Sequence, residues 1–139
     1  MPQQEPVSDI TLSDQKLRSL TACVFAFSVG FMLAAARGDL WLDEIWSIMI
    51  AREAASPADI LFKFRHDNNH VINTLFQYVI GKQKALYVHR LLAVAAGIGS
   101  LWLVGKITRM RGEAERLFAT LLTGTSYPLI LYFSESRGY

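Results

Sequence analysis

Charge is scarce in this sequence. Charged side chains make up 19% of the 139 residues, against 52% hydrophobic, and mean hydropathy is +0.25. A water-soluble domain carries about 25% charged residues, so the deficit argues against an ordinary cytosolic domain. It argues equally against disorder, which needs low hydrophobicity and high charge. Neither sign dominates: 14 basic residues stand against 12 acidic ones, for a net charge of +2. With no arginine-rich run, this balance excludes a nucleic-acid-binding surface. A single cysteine, Cys23, excludes an intramolecular disulfide and a cysteine-based zinc site. It lies in an apolar run, where a small buried hydrophobe is expected. No repeat, low-complexity tract or long flexible linker is visible, and the length allows one domain at most.

What is abundant is uninterrupted apolar sequence. Residues 19–36 and 117–134 are each 18 residues without charge, and 91–105 is a third such run of 15. A helix crosses about 30 Å of hydrocarbon with roughly 20 mainly apolar residues. The first and third runs reach this with their flanks, and the middle one does so if Arg90 and Lys106 snorkel. A soluble helix would show a polar face, but the non-apolar positions of these runs are mostly Gly, Ser and Thr. Three helices apolar on every side cannot be hidden from water within a chain this short. Lys16, Arg18 and the Ala34-x-Ala36 pattern resemble a secretory signal peptide. The long amino-terminal region and the later runs favour an uncleaved signal-anchor.

The expected fold is therefore all-α: a polytopic membrane protein with transmembrane helices at about 17–36, 87–108 and 117–134. A tail, 1–16, precedes them, and an external loop, 37–86, carries interfacial helices. Residues 106–116 hold Lys106, Arg109, Arg111 and Arg116 against Glu113 and Glu115, an excess that assigns this loop and the amino terminus to the cytoplasm. Segment 37–86, with six basic and six acidic residues, gives no opposing vote. By parity, this segment and the residues after Ser134 share the non-cytoplasmic face.

Within 37–86, Trp41 and Trp46 suit the headgroup level. A helix is expected over 44–55, lying in the interface with Ile45, Ile48, Met49 and Arg52 along one side. Ser56-Pro57-Ala58-Asp59 reads as a helix start, and Gly81 as a helix stop. Gly124 and Pro128 are expected to bend the third apolar run.

Three polar clusters carry candidate chemistry. Asp43 and Glu44 are adjacent acids at the membrane surface, suited to a general base with a helper or to a cation site. The plainer alternative is a solvated helix start, where acids are favoured anyway. His66 and His70 have the i, i+4 spacing that zinc sites use, but the capping residues between them fit an ordinary interfacial loop equally well. His89 reads as an interfacial residue. After the third run, Glu135 and Arg137 form either a charged flank or a phosphate grip.

Taken together, Leu42-Asp43-Glu44 after the first run, Asp67-Asn68-Asn69-His70 before the second and Glu135-Ser136-Arg137-Gly138-Tyr139 after the third resemble the amino-terminal part of a GT-C superfamily glycosyltransferase. This membrane group includes protein O-mannosyltransferases and lipid A aminoarabinose transferases. The resemblance runs from about Leu17 onward, with one departure: Val71 stands where the family often has Pro. Such enzymes are much longer, so the chain is expected to be a leading fragment and inactive alone.

The resemblance implies transfer of a sugar from a polyprenyl-phosphate donor to a lipid, glycan or protein acceptor outside the cytoplasm, at an inner membrane. It implies Asp43 as catalytic base, with Glu44 supporting it or helping to hold a divalent metal ion. Arg137 and Glu135 would bind the donor phosphate, and His70 would shape the loop beside the site. Two rival readings stand beside it: a small non-catalytic membrane interaction or assembly protein, and a lipid-linked sugar carrier or flippase component.

Overall fold

Ser13 holds an extended backbone and its carbonyl accepts from Leu17 N, which starts the first helix. That helix, α1 (Asp14–Ala35), runs 22 residues, about 33 Å at 1.5 Å per residue. The computed structural model describes residues 13–64 and 70–136. The remaining helices are α2 (Leu42–Glu53), α3 (Pro57–Phe62), α4 (Val71–Ile80), α5 (Leu91–Thr108), α6 (Glu113–Thr125) and α7 (Tyr127–Ser134). A 3-10 turn, Leu86–Arg90, leads directly into α5. No strand occurs among the described residues, in agreement with the all-α expectation.

Two helical stretches, Asp14–Ala35 and Leu86–Thr108, are long and apolar enough to cross a membrane. A third candidate exists only if α6 and α7 count as one crossing, because they meet at an angle of 63°. The run 117–134 is bent, as expected at Gly124 and Pro128, with the break at Ser126. Pro128 supplies the physical cause. In a continuous helix its missing N–H would leave the Gly124 carbonyl unbonded, whereas the first turn of a new helix needs no such bond. Ser126 takes the extended conformation between the two helices, and Ile130 N–H donates to Ser126 O at 2.9 Å to open α7.

The helices α1, α5, α6 and α7 form a bundle, with α1 against α6 and α7 and with α5 packed on both. Its inside holds many small or hydroxylated residues beside Met32, Val94 and Leu101, while much of its outside is large and apolar. Thr21, Ser28, Gly97, Gly105, Thr120 and Gly124 are buried; Phe27, Phe31, Trp102, Ile107, Phe118 and Leu122 are exposed. This distribution suits lipid, where small residues let helices approach and hydrocarbon solvates the exterior. The approaches are close. A β-carbon added at Gly97 would lie 2.5 Å from Phe133 Cβ, and one at Gly124 would collide with Ser28 Oγ. Cys23 belongs to this exterior. It is exposed on α1, not buried as expected, because the inward stripe of α1 is Thr21, Ser28 and Met32.

Beyond the carboxyl end of α1, α2 and α3 pack on α4. The α3 start is as expected: Asp59 Oδ2 accepts from Ala55 N at 2.9 Å and Ser56 N at 3.2 Å, with Pro57 in the first turn. Gly81 ends α4 with φ +64°, a conformation other residues rarely adopt. Most of the α2 side expected to lie in the interface is exposed, and a different side packs on the protein. The buried residues of α2 are Glu44, Ser47, Ile48, Ile50 and Ala51, while Ile45, Met49 and Arg52 are exposed. A buried carboxylate decides this orientation.

Candidate functional site

Glu44 is the third residue of α2, and its side chain is fully buried. Its Oε2 accepts from Trp41 N at 2.8 Å, which closes the first turn of the helix. Burial of a lone carboxylate is prohibitive, so it must be paired. Arg90 supplies the pair. Its Nε donates to Oε1 at 2.8 Å and its Nη2 to Oε2 at 2.7 Å, the two-pronged arrangement that a guanidinium fork favours. Arg90, itself 1% exposed, also donates to the carbonyls of Ala36, Gly38 and Asp39 at 3.2, 3.0 and 2.6 Å. It does not snorkel outward; it ties the end of α1, the start of α2 and the entry to α5 together. Burial alone would raise the Glu44 pKa. Hydrogen bonds from Arg90, Ser136 N and Trp41 N, with the Arg90 charge, outweigh it and hold the carboxyl below its ordinary value of 4.5.

The third partner comes from the far end of the chain. Ser136 N donates to Glu44 Oε1 at 2.5 Å. Ser136 is held in turn by α4: Asn73 Nδ2 donates to Ser136 O at 2.7 Å, and Ser136 Oγ donates to Asn73 Oδ1 at 2.7 Å. Gln77 Nε2 reaches Ser136 Oγ at 3.0 Å and His89 O at 2.8 Å. His89 is buried, and its Nδ1 lies 2.6 Å from Gln77 Oε1. An amide oxygen can only accept, so His89 carries its hydrogen on Nδ1. Asn73 and Gln77 stand one turn apart on the inward face of α4, which explains why two amides occur in an otherwise apolar helix.

A cavity of about 430 Å³ opens beside this network. Asp39, Trp41, Arg90, Leu131, Ser134 and Glu135 contribute to its lining. The lining is mainly apolar, and Asp39, Arg90, Ser134 and Glu135 are the polar and charged residues that contribute to it.

The expected site residues divide as follows. Glu44 and Glu135 lie at this network and cavity, Glu135 buried at the end of α7. Asp43 is half-buried in the first turn of α2, next to Glu44 in the chain. His70 is half-buried where α4 begins, and its carbonyl accepts from Thr74 N at 2.8 Å. His66 and Arg137 lie outside the described residues. Among the described residues no group of three or more His, Cys, Asp or Glu is arranged to hold a metal ion. Both oxygens of Glu44 are engaged by Arg90, so in this arrangement Glu44 does not fit a divalent-ion ligand.

Asn73, Gln77, His89 and Arg90 were not among the expected site residues. The signal for the first two was present, since polar residues at i, i+4 on an apolar helix mark a buried polar contact. Comparison with family models, curated proteins and solved structures returns no match.

Proposed function

We propose that this chain is a membrane glycosyltransferase of the GT-C kind, or its leading part, with the active face at the end of the bundle that carries Glu44 and Arg90. One observation carries the reading. Three separated polar segments, around residues 43–44, 70–77 and 135–136, converge on one end of the bundle through Glu44, Asn73, Gln77 and Ser136, beside a cavity lined by Asp39, Arg90 and Glu135. That convergence of remote segments is what a shared substrate pocket needs.

In this reading three crossings put that face on the periplasmic side of an inner membrane, with the amino terminus and the basic 106–116 loop in the cytoplasm. The donor is a polyprenyl-phosphate sugar, and the acceptor is a hydroxyl or amine on a lipid, glycan or protein. Asp43 takes the acceptor proton as the acceptor oxygen or nitrogen forms its bond to the anomeric carbon. The bond from that carbon to the phosphate oxygen breaks, and the electron pair leaves with the polyprenyl phosphate. Arg137 offsets the charge on this leaving group and Glu135 orients Arg137, an electrostatic role favoured in a low-dielectric site. Attack and departure on opposite sides invert the anomeric centre. Glu44 acts as a positioning residue: it fixes the α2 turn that presents Asp43 and anchors Arg90.

The test is sugar transfer from labelled polyprenyl-linked donors by the full-length gene product. Asp43→Asn should abolish transfer, by at least about 100-fold as expected for loss of a general base, while expression and thermal stability stay unchanged. Normal turnover by that variant would overturn the assignment.

A further inference from the structure

The other end of the bundle holds a second, smaller cavity, of about 250 Å³, enclosed by α1, α5 and α6. Its wall is apolar at Phe25, Leu101 and Trp102 and polar at Arg18, Arg116 and Thr120. Two of its polar atoms are sealed from solvent and have no hydrogen-bond partner: Thr120 Oγ1, on a residue 1% exposed, and Arg116 Nε. Thr74 Oγ1, in α4, is likewise buried without a partner. Thr21, Thr108 and Thr125 each return their hydroxyl to the carbonyl one turn back, at 2.7 to 2.8 Å, whereas Thr120 does not.

Gly105 of α5 packs directly against these two atoms. A β-carbon there would lie 3.3 Å from Thr120 Oγ1 and 3.8 Å from Arg116 Nε. The local charge is cationic. Glu113 is shared by three guanidiniums, with Arg18 at 2.9 Å, Arg116 at 3.3 Å and Arg109 at 3.6 Å, so one carboxylate faces three positive charges. The Lys106 ammonium sits 4.7 Å above the exposed Trp102 ring and extends this surplus along the apolar wall.

Unpaired buried donors in a cationic surround call for an anion rich in acceptor oxygens, and a phosphate meets that need. The apolar wall reaching the bundle exterior at Trp102 adds a requirement that a free phosphate lacks. We propose that this cavity binds the phosphate headgroup of an anionic membrane lipid. Thr120 Oγ1 and Arg116 Nε donate to the phosphate oxygens, Arg18 supplies further charge, and an acyl chain lies along Phe25 and Trp102. The site is separate from the sugar-transfer face and does not depend on that reading.

The experiment is native mass spectrometry of the full chain in neutral detergent, titrated with phosphatidylglycerol, phosphatidylcholine or inorganic phosphate. Phosphatidylglycerol should remain bound, phosphatidylcholine should strip off, and millimolar-range phosphate should not displace the lipid. Thr120→Val, which keeps the side-chain shape, should weaken phosphatidylglycerol binding about tenfold, the effect of one hydrogen bond to a charged group. Thr120→Ser keeps the hydroxyl and should bind as the parent chain does, which holds the test open if the valine variant fails to fold. Equal retention of both lipids would overturn the proposal. So would displacement by phosphate, or a Thr120→Ser variant that loses binding while remaining folded.

Discussion

The pair of Glu44 and Arg90 shows what a single buried charge demands. Arg90 stands 46 positions after Glu44 and satisfies it with two hydrogen bonds while reaching three backbone carbonyls. Removing one member strands the other in a dry interior. Arg90→Met is therefore expected to destabilise the chain by about 3–5 kcal/mol, and Glu44→Leu combined with Arg90→Met should recover much of that loss. Thermal unfolding in detergent reads both. The same pair sets an acid limit. Because the folded Glu44 pKa lies below 4.5, this stabilisation is complete above the ordinary carboxylate range and is lost as pH falls through the lower folded value. Glu44→Gln should remove that part of the pH dependence, and an unchanged acid profile would contradict the pairing. Neither Arg90 nor His89 reveals this role locally. Each sits at the edge of an apolar run, where a charged or polar flank is what interfacial positions ordinarily carry. Their partners are fixed only by tertiary packing.

At the scale of helices, local chemistry accounts for most boundaries. The charge-free runs mark α1 and α5, Ser56-Pro57 with Asp59 starts α3, Gly81 stops α4, and Pro128 breaks α6 from α7. The face each helix turns inward is less accessible from the chain. In α2 the side with Ile45 and Met49 stays exposed, and the buried stripe begins at Glu44 because its partners lie there. Cys23 fails for the complementary reason, since a bundle with lipid outside has no need to bury apolar side chains. The inward positions are instead chosen for size. Gly124→Ala should cost about 1–3 kcal/mol, as overpacking does, because the new methyl meets Ser28. Ser28→Gly in the same chain should restore part of it, since it removes both Ser28 atoms nearest the methyl. A Gly124→Ala variant with parental thermal stability would refute the close crossing of α1 and α6.

For the whole molecule, the two ends of the bundle have different chemistry. One gathers Glu44, Arg90, Asn73, Gln77 and Ser136 beside a cavity whose lining includes Asp39 and Glu135; the other carries Arg18, Lys106, Arg109 and Arg116 around Glu113. In the proposed orientation the Glu44 end faces the periplasm and the basic end the cytoplasm. The most direct test of this orientation is accessibility of single cysteines to a membrane-impermeant maleimide in intact cells, in a Cys23→Ser background, at positions 43, 111 and 137. Positions 43 and 137 should label from outside, and position 111 only after permeabilisation. Labelling of 43 and 137 from opposite sides of the membrane would contradict a shared active face.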